Sequence, residues 1–198
     1  MANNQQRHQQ RQQRLKESVD AKVEKASEER GIVLVLTGNG KGKSSSAYGC
    51  AVRAVGHGQH VKVAQFIKGT WDCGERNILE QHGVEFAVMA TGFTWDTQDK
   101  QADIDAAQRV WQQALPWFSD PSIDLIVLDE LTYMLSYHYL PVEEVVNAIQ
   151  NRPKEQSVIV TGRACHRSVL EIADTVSEVK SVKHAFESGI KARKGIDW

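Results

Sequence analysis

The chain has 198 residues, of which 41% are hydrophobic and 25% charged, and its 24 basic and 25 acidic residues leave a formal net charge of −1. This size and composition favour one globular domain and exclude a nucleic-acid coat or a polybasic membrane binder, both of which need a surplus of Lys and Arg. The N-terminus is polar, no apolar run matches a membrane span, and the three scattered cysteines form no disulfide framework, so we expect a cytoplasmic protein without nucleic-acid or membrane partners.

The first 30 residues differ in composition from the rest of the chain. They begin with a stretch rich in Gln and Arg, after which Leu15, Val19 and Val23 recur at helical spacing. Because such a thin apolar stripe stabilises an isolated helix only weakly, two interpretations stay open: a frayed, solvated leader, or a helix that docks over a site or onto a partner subunit. We therefore predict a helical extension over residues 1–30 and the main domain over residues 31–198.

The main domain alternates apolar runs, typical of buried strands, with segments of helical periodicity. This alternation predicts βαβ units, and hence an α/β fold with a mainly parallel sheet and helices on both faces. The tail from residue 184 is polar and is predicted to be irregular. The predicted strands are 32–36, 61–67, 84–89, 123–128, 158–160 and 175–179, and the predicted helices are 44–57, 75–82, 99–119, 141–152 and 166–173.

A glycine-rich loop, Thr37-Gly-Asn-Gly-Lys-Gly-Lys-Ser44, stands between the first predicted strand and helix, where a phosphate loop belongs. Its amides and the helix N-terminus would form an anion nest, Lys43 would supply charge to phosphate oxygens, and the Ser44 hydroxyl suits Mg²⁺. The strict motif has Gly where Thr37 stands, so a tight strand–helix turn is the alternative. The predicted nucleotide-binding residues are Gly38, Asn39, Gly40, Lys41, Gly42, Lys43 and Ser44.

Two carboxylates, Asp129 and Glu130, end the apolar strand that starts at Ile123. At the carboxyl end of a parallel strand they would face the same crevice as the phosphate loop, where one or both could hold Mg²⁺ directly or through water. A charged pair at a strand exit is the alternative. Together the two motifs predict a P-loop NTPase-like fold that binds ATP or a related nucleotide with Mg²⁺, but they do not name the reaction.

Three further loops follow predicted strands and carry residues suited to ligands. Lys68 is either a phosphate or ribose contact or a solvated lysine. Phe93 and Trp95 lie in one short loop, where they either cap the core or form an aromatic wall for a flat, largely apolar ligand. Arg163 could contact an anion. Nothing in the residue order predicts a protein nucleophile, so we expect the nucleophile of an enzyme with this site to come from a substrate.

Several segments together resemble the P-loop-type cob(I)alamin adenosyltransferases, and the similarity runs over essentially the whole chain. The shortened phosphate loop is that family's own form, and Ser44 stands where the family usually has Thr. The N-terminal stretch rich in Gln and Arg is also similar. The other segments that carry the resemblance are Gln65–Gly69, Ala90–Trp95, Val127–Tyr133, Thr161–His166 and Lys194–Trp198.

The resemblance implies transfer of the 5′-deoxyadenosyl group of ATP to Co(I) of a corrinoid with release of triphosphate, in adenosylcobalamin biosynthesis or salvage. It also implies that ATP binds in reverse, with the γ-phosphate deep in the loop and C5′ toward the corrin. Co(I) is a strong nucleophile, and the amide nest, Lys43 and Mg²⁺ (or Mn²⁺) would stabilise the leaving triphosphate. A generic P-loop ATPase or kinase and a nucleotide-gated regulatory protein remain the alternatives.

Residue roles also follow from the resemblance. Ser44 and Glu130 would hold the metal, with Asp129 a further candidate. Phe93 and Trp95 would act with Lys43 in catalysis: the aromatic side chains would face the lower side of the corrin and displace the lower axial base, which makes the cobalt easier to reduce.

The resemblance extends to partners as well. The N-terminal helix would close over the corrinoid across a homodimer interface, and a reducing flavoprotein would supply electrons. The chain has no DxHxxG stretch of the kind that holds cobalamin through a histidine. The corrinoid is therefore expected to be a substrate that leaves the enzyme.

Overall fold

The computed structural model describes residues 2–67, 72–89 and 99–197. The strands in these ranges are β1 (Val33–Thr37), β2 (Val61–Gln65), β3 (Glu85–Val88), β4 (Leu125–Asp129), β5 (Ser157–Thr161) and β6 (Thr175–Glu178). They form one sheet in the order β3-β2-β4-β5-β1-β6, and every neighbouring pair is parallel. The predicted α/β fold is confirmed, and each predicted strand is present with ends that differ by at most two residues.

Helices connect these strands. Within the described residues, two short 3₁₀ helices, Leu115–Ser119 and Phe186–Ser188, accompany them. The α-helices of the same ranges are α1 (Ala2–Lys25), α2 (Lys43–Gly56), α3 (Gly74–Gln81), α4 (Lys100–Ala114), α5 (Leu131–Ser136), α6 (Val142–Gln150) and α7 (Arg167–Glu171).

Two helical segments differ from the prediction. The segment predicted as one helix over 99–119 changes from α4 to a 3₁₀ helix at Leu115, because Pro116 has no N–H to continue the α-helical hydrogen bonds. Helix α5 was not predicted, since its six residues are too few to show a helical period.

The two faces of the sheet carry separate hydrophobic cores. Helices α2 and α3 bury one face with residues such as Ala47 and Leu79, whereas α4 to α7 bury the other with residues such as Trp111, Met134 and Ile149. Every residue of the central strand β4 is buried. The predicted arrangement of helices on both faces is confirmed, and burial on both faces explains why the central strands have continuous apolar sequences.

Helix α1 lies at the start of the chain and is exposed. All its side chains from Gln5 to Lys25 are exposed, including Leu15 (58%), Val19 (48%) and Val23 (65%) of the apolar stripe. The helix itself is as predicted, while its docking over a site or onto a partner stays a prediction. Among the helices of the described ranges, none is both long and apolar enough to span a membrane.

An ion pair fastens the beginning of the main domain to the sheet. The Arg30 guanidinium donates to both carboxylate oxygens of Asp174, at 2.9 and 2.5 Å, and Asp174 Oδ2 also accepts a hydrogen bond of 2.8 Å from Val33 N in β1. These hydrogen bonds, above all the one from Arg30, lower the pKa of Asp174 to about 2. The carboxylate therefore stays ionised at neutral pH and ties the start of β1 to the turn before β6.

The strand order brings the predicted motifs to one edge of the sheet. Strand β5 lies between β4 and β1, so the loop after β5 separates the phosphate loop after β1 from Glu130 after β4. Carboxyl ends of parallel strands meet at the same edge, and ligands of open α/β sheets bind in the crevice outside that edge. The candidate site is therefore found at this edge.

Candidate active site

The phosphate loop joins β1 to α2, as predicted. Gly38 and Gly42 have φ angles of 98° and 120°, which non-glycine residues rarely adopt, and Gly42 immediately precedes the first turn of α2. A Cβ at Gly38 would lie 2.5 Å from the carbonyl oxygen of Val179, and one at Gly40 would lie 2.7 Å from that of Lys180. The loop glycines thus permit close packing against the segment after β6, a reason that sequence analysis did not find.

Lys43 is the first residue of α2 and is almost fully buried, with 6% of its surface exposed. Its Nζ donates a hydrogen bond of 2.8 Å to the carbonyl oxygen of Gly40. The amide of Gly40 in turn donates to Val179 O at 2.7 Å. The ammonium group is therefore held inside the curve of the loop, where an anion bound to the loop amides would meet it.

A cavity of about 410 Å³ opens at the carboxyl ends of the strands. Its wall contains the phosphate loop from Asn39 to Ser44 together with Glu130, so the structure brings these predicted residues together, with Gly38 just outside the wall. Lys68, Phe93 and Trp95 lie outside the described residues. Other wall residues are Ile67, Asp72, Tyr133, Arg163, His184 and Asp197.

The two carboxylates after β4 have different surroundings. Asp129 is fully buried and does not line the cavity. Its Oδ1 accepts a hydrogen bond of 2.7 Å from Thr161 Oγ1, and its Oδ2 accepts one of 3.0 Å from Tyr48 Oη. Glu130, one residue later, lies in the wall of the cavity. Both were candidate metal ligands in the sequence, but only Glu130 borders the cavity.

Glu130 has a strained backbone. Its φ of 60° is left-handed, a conformation that costs a non-glycine residue about 1–3 kcal/mol, and its amide donates a hydrogen bond of 2.9 Å to Thr161 Oγ1. Gly162 lies against it: a Cβ there would be 2.0 Å from Thr132 Oγ1 and 3.3 Å from Glu130 Oε2. Sharp turns after β4 and β5 thus place Glu130 in the wall of the cavity.

The hydrogen bonds at Asp129 extend to three residues to which sequence analysis gave no role: Tyr48, Gln65 and Arg76. Gln65 Nε2 donates to Tyr48 Oη at 2.8 Å, and Arg76 Nη1 lies 3.4 Å from Gln65 Oε1. Burial, reinforced by the charge of Asp129, raises the pKa of Tyr48 well above its usual value, so the phenol stays protonated and remains a donor. The sequence does contain a signal for this group of hydrogen bonds, because three apolar strands each end in a polar residue: Gln65, Asp129 and Thr161.

Comparison with known proteins identifies the family. The family model described as "ATP:corrinoid adenosyltransferase BtuR/CobO/CobP" matches residues 29–198. The chain belongs to this family. A second model, "Cob(I)alamin adenosyltransferase N terminal", matches residues 1–23. The resemblance predicted from the sequence motifs is therefore confirmed.

Individual members of the family are similar over nearly their full length. The corrinoid adenosyltransferase of Escherichia coli K12 is 63% identical over 192 residues, which are 97% of this chain and 98% of the relative. The corrinoid adenosyltransferase CobA of Salmonella typhimurium LT2 is 62% identical over the same shares of both chains. The Pseudomonas aeruginosa PAO1 relative, also named a corrinoid adenosyltransferase, is 49% identical over 98% of this chain and 96% of its own. The relatives are transferases by name, as predicted.

Family members act on ATP, according to the family description, and Mg²⁺ usually accompanies ATP in its binding sites. Ser44 and Glu130 offer oxygen donors in the cavity wall, which is the ligand type that Mg²⁺ prefers. No group of three or more His, Cys, Asp or Glu side chains within the described ranges could hold a metal by itself. A partial set of oxygen ligands fits Mg²⁺, because this ion takes one or two carboxylates and completes its shell with phosphates and water.

The C-terminal segment, residues 184–197, borders the same cavity. Lys41 Nζ of the phosphate loop lies 2.7 Å from Asp197 Oδ1, and the Lys194 ammonium lies 3.6 Å from Asp72 Oδ2 on the opposite rim. The hydrogen bond from Lys41 and a second one from the Arg193 amide lower the pKa of Asp197. Although mostly irregular, as predicted, the segment is joined to the residues around the cavity by two ion pairs.

Proposed function

We propose that this chain transfers the 5′-deoxyadenosyl group of ATP to Co(I) of a corrinoid and releases triphosphate. The observation that carries the proposal is that Lys43, Ser44 and Glu130 border one cavity in a chain that belongs to the corrinoid adenosyltransferases. The function would serve the biosynthesis or salvage of adenosylcobalamin. An ordinary ATPase or kinase would share the phosphate loop, but its family is not the one matched.

In the proposed reaction an electron pair of Co(I) forms a bond to C5′ of ATP while the bond between C5′ and its oxygen breaks. The bonding electrons leave with triphosphate, and the cobalt becomes formally Co(III) in an alkyl complex. No proton must be removed from the nucleophile. The protein therefore needs no general base, and its main task is to stabilise the charge on the leaving group and to hold the reactants in line.

The phosphate loop supplies that stabilisation. We place the γ-phosphate deep in the loop and C5′ toward the corrin, as the family resemblance implies. The Lys43 ammonium donates a hydrogen bond to the carbonyl oxygen of Gly40 in the structure. With ATP bound, it would turn to the phosphate oxygens, and the amides at the start of α2 would donate to the same oxygens. Ser44 and Glu130 would hold Mg²⁺ or Mn²⁺, which neutralises charge on the phosphates when it is bound.

The remaining roles are proposals carried by the resemblance. Phe93 and Trp95 would face the lower side of the corrin, and Lys68 would contact the nucleotide. Helix α1 would close over the corrinoid of a partner subunit in a homodimer, which fits its exposed apolar stripe. A flavoprotein would reduce the corrinoid, and the enzyme would work in the cytoplasm.

The proposal is tested by anaerobic incubation of the protein with ATP, Mg²⁺ and chemically reduced cob(I)alamin. The expected result is the light-sensitive visible spectrum of an alkylcobalamin, with triphosphate as the phosphate product. An unchanged Co(I) spectrum with accumulating ADP and phosphate would overturn the proposal in favour of an ATPase. Binding of ATP without any product would favour a nucleotide-gated regulatory protein.

A further inference from the structure

A buried chain of hydrogen bonds runs beneath the cavity across the ends of three adjacent strands, β2, β4 and β5. It leads from Gln65 through Tyr48 to Asp129, and from Asp129 through Thr161 to the backbone of Glu130. Gln65, Asp129 and Thr161 are completely buried, and Tyr48 is 1% exposed. Nothing in the phosphate-loop motif accounts for this chain, since the motif contains none of its members.

We propose that Tyr48, Asp129 and Thr161 are positioning residues that aim Glu130 at the nucleotide's metal, and that Asp129 does not itself bind the metal. This inference rests on the proposed function only in assuming that Mg²⁺ accompanies ATP in the cavity. It separates the roles of two adjacent carboxylates that the strand-end motif by itself treats as equivalent.

The direction of each hydrogen bond supports the proposal. The Glu130 amide can only donate, so the Thr161 hydroxyl accepts from it, and the single hydrogen of that hydroxyl goes to Asp129 Oδ1. On the other side, Gln65 Nε2 can only donate, so the phenol of Tyr48 accepts from it and gives its own hydrogen to Asp129 Oδ2. Both branches therefore end on one acceptor, the carboxylate of Asp129.

A buried carboxylate with this arrangement is a poor candidate for direct metal binding. Each of its two oxygens already accepts a hydrogen bond from a buried hydroxyl, and the residue does not border the cavity. Turning either oxygen toward a metal would leave a hydroxyl in the interior without its acceptor, which is costly. Asp129 is suited instead to orienting the hydroxyl of Thr161.

That orientation matters because Thr161 holds Glu130 in its left-handed conformation. The Glu130 φ of 60° is unfavourable by itself, and the hydrogen bond from its amide to Thr161 Oγ1 favours it. If Asp129 became Asn with its NH₂ group toward Thr161, the hydroxyl hydrogen would lose its acceptor, and the oxygen would be shared between two donors, the Asn amide and the Glu130 N–H. The hydrogen bond that holds the Glu130 backbone would be weakened. Loss of any residue from this chain of hydrogen bonds is therefore expected to loosen Glu130 and to weaken its binding of the metal.

The test measures ATP binding in the absence of corrinoid, so that no turnover occurs. Equilibrium dialysis of radiolabelled ATP gives one dissociation constant in EDTA and a second one in Mg²⁺. The constant in EDTA divided by the constant in Mg²⁺ is a ratio that reports how much the metal strengthens ATP binding. A merely structural role would change both constants together and leave the ratio as in wild type. The variants are Tyr48→Phe, Thr161→Val, Asp129→Asn and Glu130→Gln, with Tyr139→Phe as a matched control because Tyr139 is a buried tyrosine outside the chain of hydrogen bonds.

We expect Tyr48→Phe, Thr161→Val and Asp129→Asn each to reduce this ratio by about fivefold to tenfold, which corresponds to the net contribution of one ordinary hydrogen bond. The Tyr48→Phe/Asp129→Asn double variant should be no worse than Asp129→Asn alone, because both act through one chain of hydrogen bonds. Glu130→Gln should remove most of the metal effect, and the Tyr139→Phe control should match wild type.

Two results would overturn the inference. If Asp129→Asn abolished the metal effect as Glu130→Gln does while Tyr48→Phe and Thr161→Val left it intact, Asp129 would be a metal ligand. If Tyr48→Phe left the ratio at the wild-type value, the hydrogen bonds would have only a structural role. This variant keeps the buried ring, so its result remains informative even if Asp129→Asn fails to fold. Failure of the proposed function would look different, since wild-type protein would then bind ATP without transferring its adenosyl group.

Discussion

Lys41 in the phosphate loop and Asp197 near the C-terminus form an ion pair, with 2.7 Å between Nζ and Oδ1. The pair joins positions that are far apart in the chain, and it anchors the C-terminal segment to the loop that we propose binds triphosphate. His184 and Asp197 of this segment both border the cavity. A nucleotide that enters the cavity would therefore contact a wall to which this ion pair contributes.

The first prediction concerns the order of the C-terminal segment. Asp197→Asn should increase amide hydrogen exchange over residues 184–197 by about fivefold at most, because a solvent-exposed ion pair stabilises a segment only weakly. Lys41→Gln should have the same effect, since it removes the other half of the pair, whereas Glu187→Gln elsewhere in the segment serves as control. Unchanged exchange in both variants would show that the segment is held by other contacts. Exchange is measured by mass spectrometry of the protein without ligands.

Lys43 carries the second prediction. Lys43→Ala should lower the rate of adenosyl transfer to preformed cob(I)alamin by about 100-fold or more, the usual cost of removing a preorganised charge from a transition state. Lys154→Ala, an exposed lysine at the opposite end of the sheet from the cavity, should retain full activity. Single-turnover kinetics under anaerobic conditions measure the step. Near-normal turnover by Lys43→Ala would contradict the assignment of the phosphate loop.

The third prediction separates reduction from transfer. Phe93→Ala and Trp95→Ala should slow the reduction of cob(II)alamin more than they slow adenosylation of preformed Co(I), because the proposed role of these rings is to displace the axial donor that makes reduction difficult. Reduction and adenosylation are assayed separately. In the adenosylation assay a strong chemical reductant supplies Co(I) directly, so the rate of reduction on the enzyme does not affect the result. Equal losses in both assays would argue against the axial-ligand role.

A fourth prediction concerns stability at acid pH. The hydrogen bonds from Arg30 lower the pKa of Asp174 in the folded protein to about 2, whereas an unfolded Asp has a pKa of about 3.9. A depressed folded pKa stabilises the protein above the unfolded value, and this contribution is lost as the pH falls from about 4 to about 2. The difference in unfolding free energy between wild type and Asp174→Asn should be constant from pH 5 to 7 and should shrink through that acid window.

The difference is measured by urea denaturation at a series of pH values. Asp105→Asn on the exposed side of α4 is a control for the general effect of removing a negative charge. A difference that did not change between about pH 5 and pH 2, the window set by these two pKa values, would contradict the role given to the Arg30 ion pair.

The sequence predicted the sheet and the central part of the site because both depend on local patterns. Continuous apolar runs mark strands buried on both faces, and a glycine-rich loop between strand and helix has few other uses. The carboxylate pair at the end of β4 was found for the same reason. The motif by itself did not distinguish its two members, Asp129 and Glu130, because their difference depends on the turn after the strand and on the buried neighbours of Asp129. Only the family resemblance placed Glu130 first.

Residues that depend on distant partners were not found from local patterns. Tyr48 lies in an otherwise ordinary helix, and its hydrogen bond to Asp129 joins positions 81 residues apart. The packing of Gly38 against Val179 likewise requires β6 to lie beside β1. The C-terminal segment borders the cavity through His184 and Asp197 and forms ion pairs with Lys41 and Asp72. These contacts join distant positions, so the segment's own polar sequence gives no sign of them.

Formation of the bond between cobalt and C5′ is the central claim, and isotopic labelling tests it most directly. Wild-type protein would be incubated anaerobically with Mg²⁺, cob(I)alamin and ATP carrying ¹³C at C5′, and the products followed by ¹³C and ³¹P NMR. The account predicts that the ¹³C label moves from a carbon bonded to oxygen to one bonded to cobalt, as triphosphate appears in equal amount. A label that stays bonded to oxygen while ADP and phosphate form would contradict it.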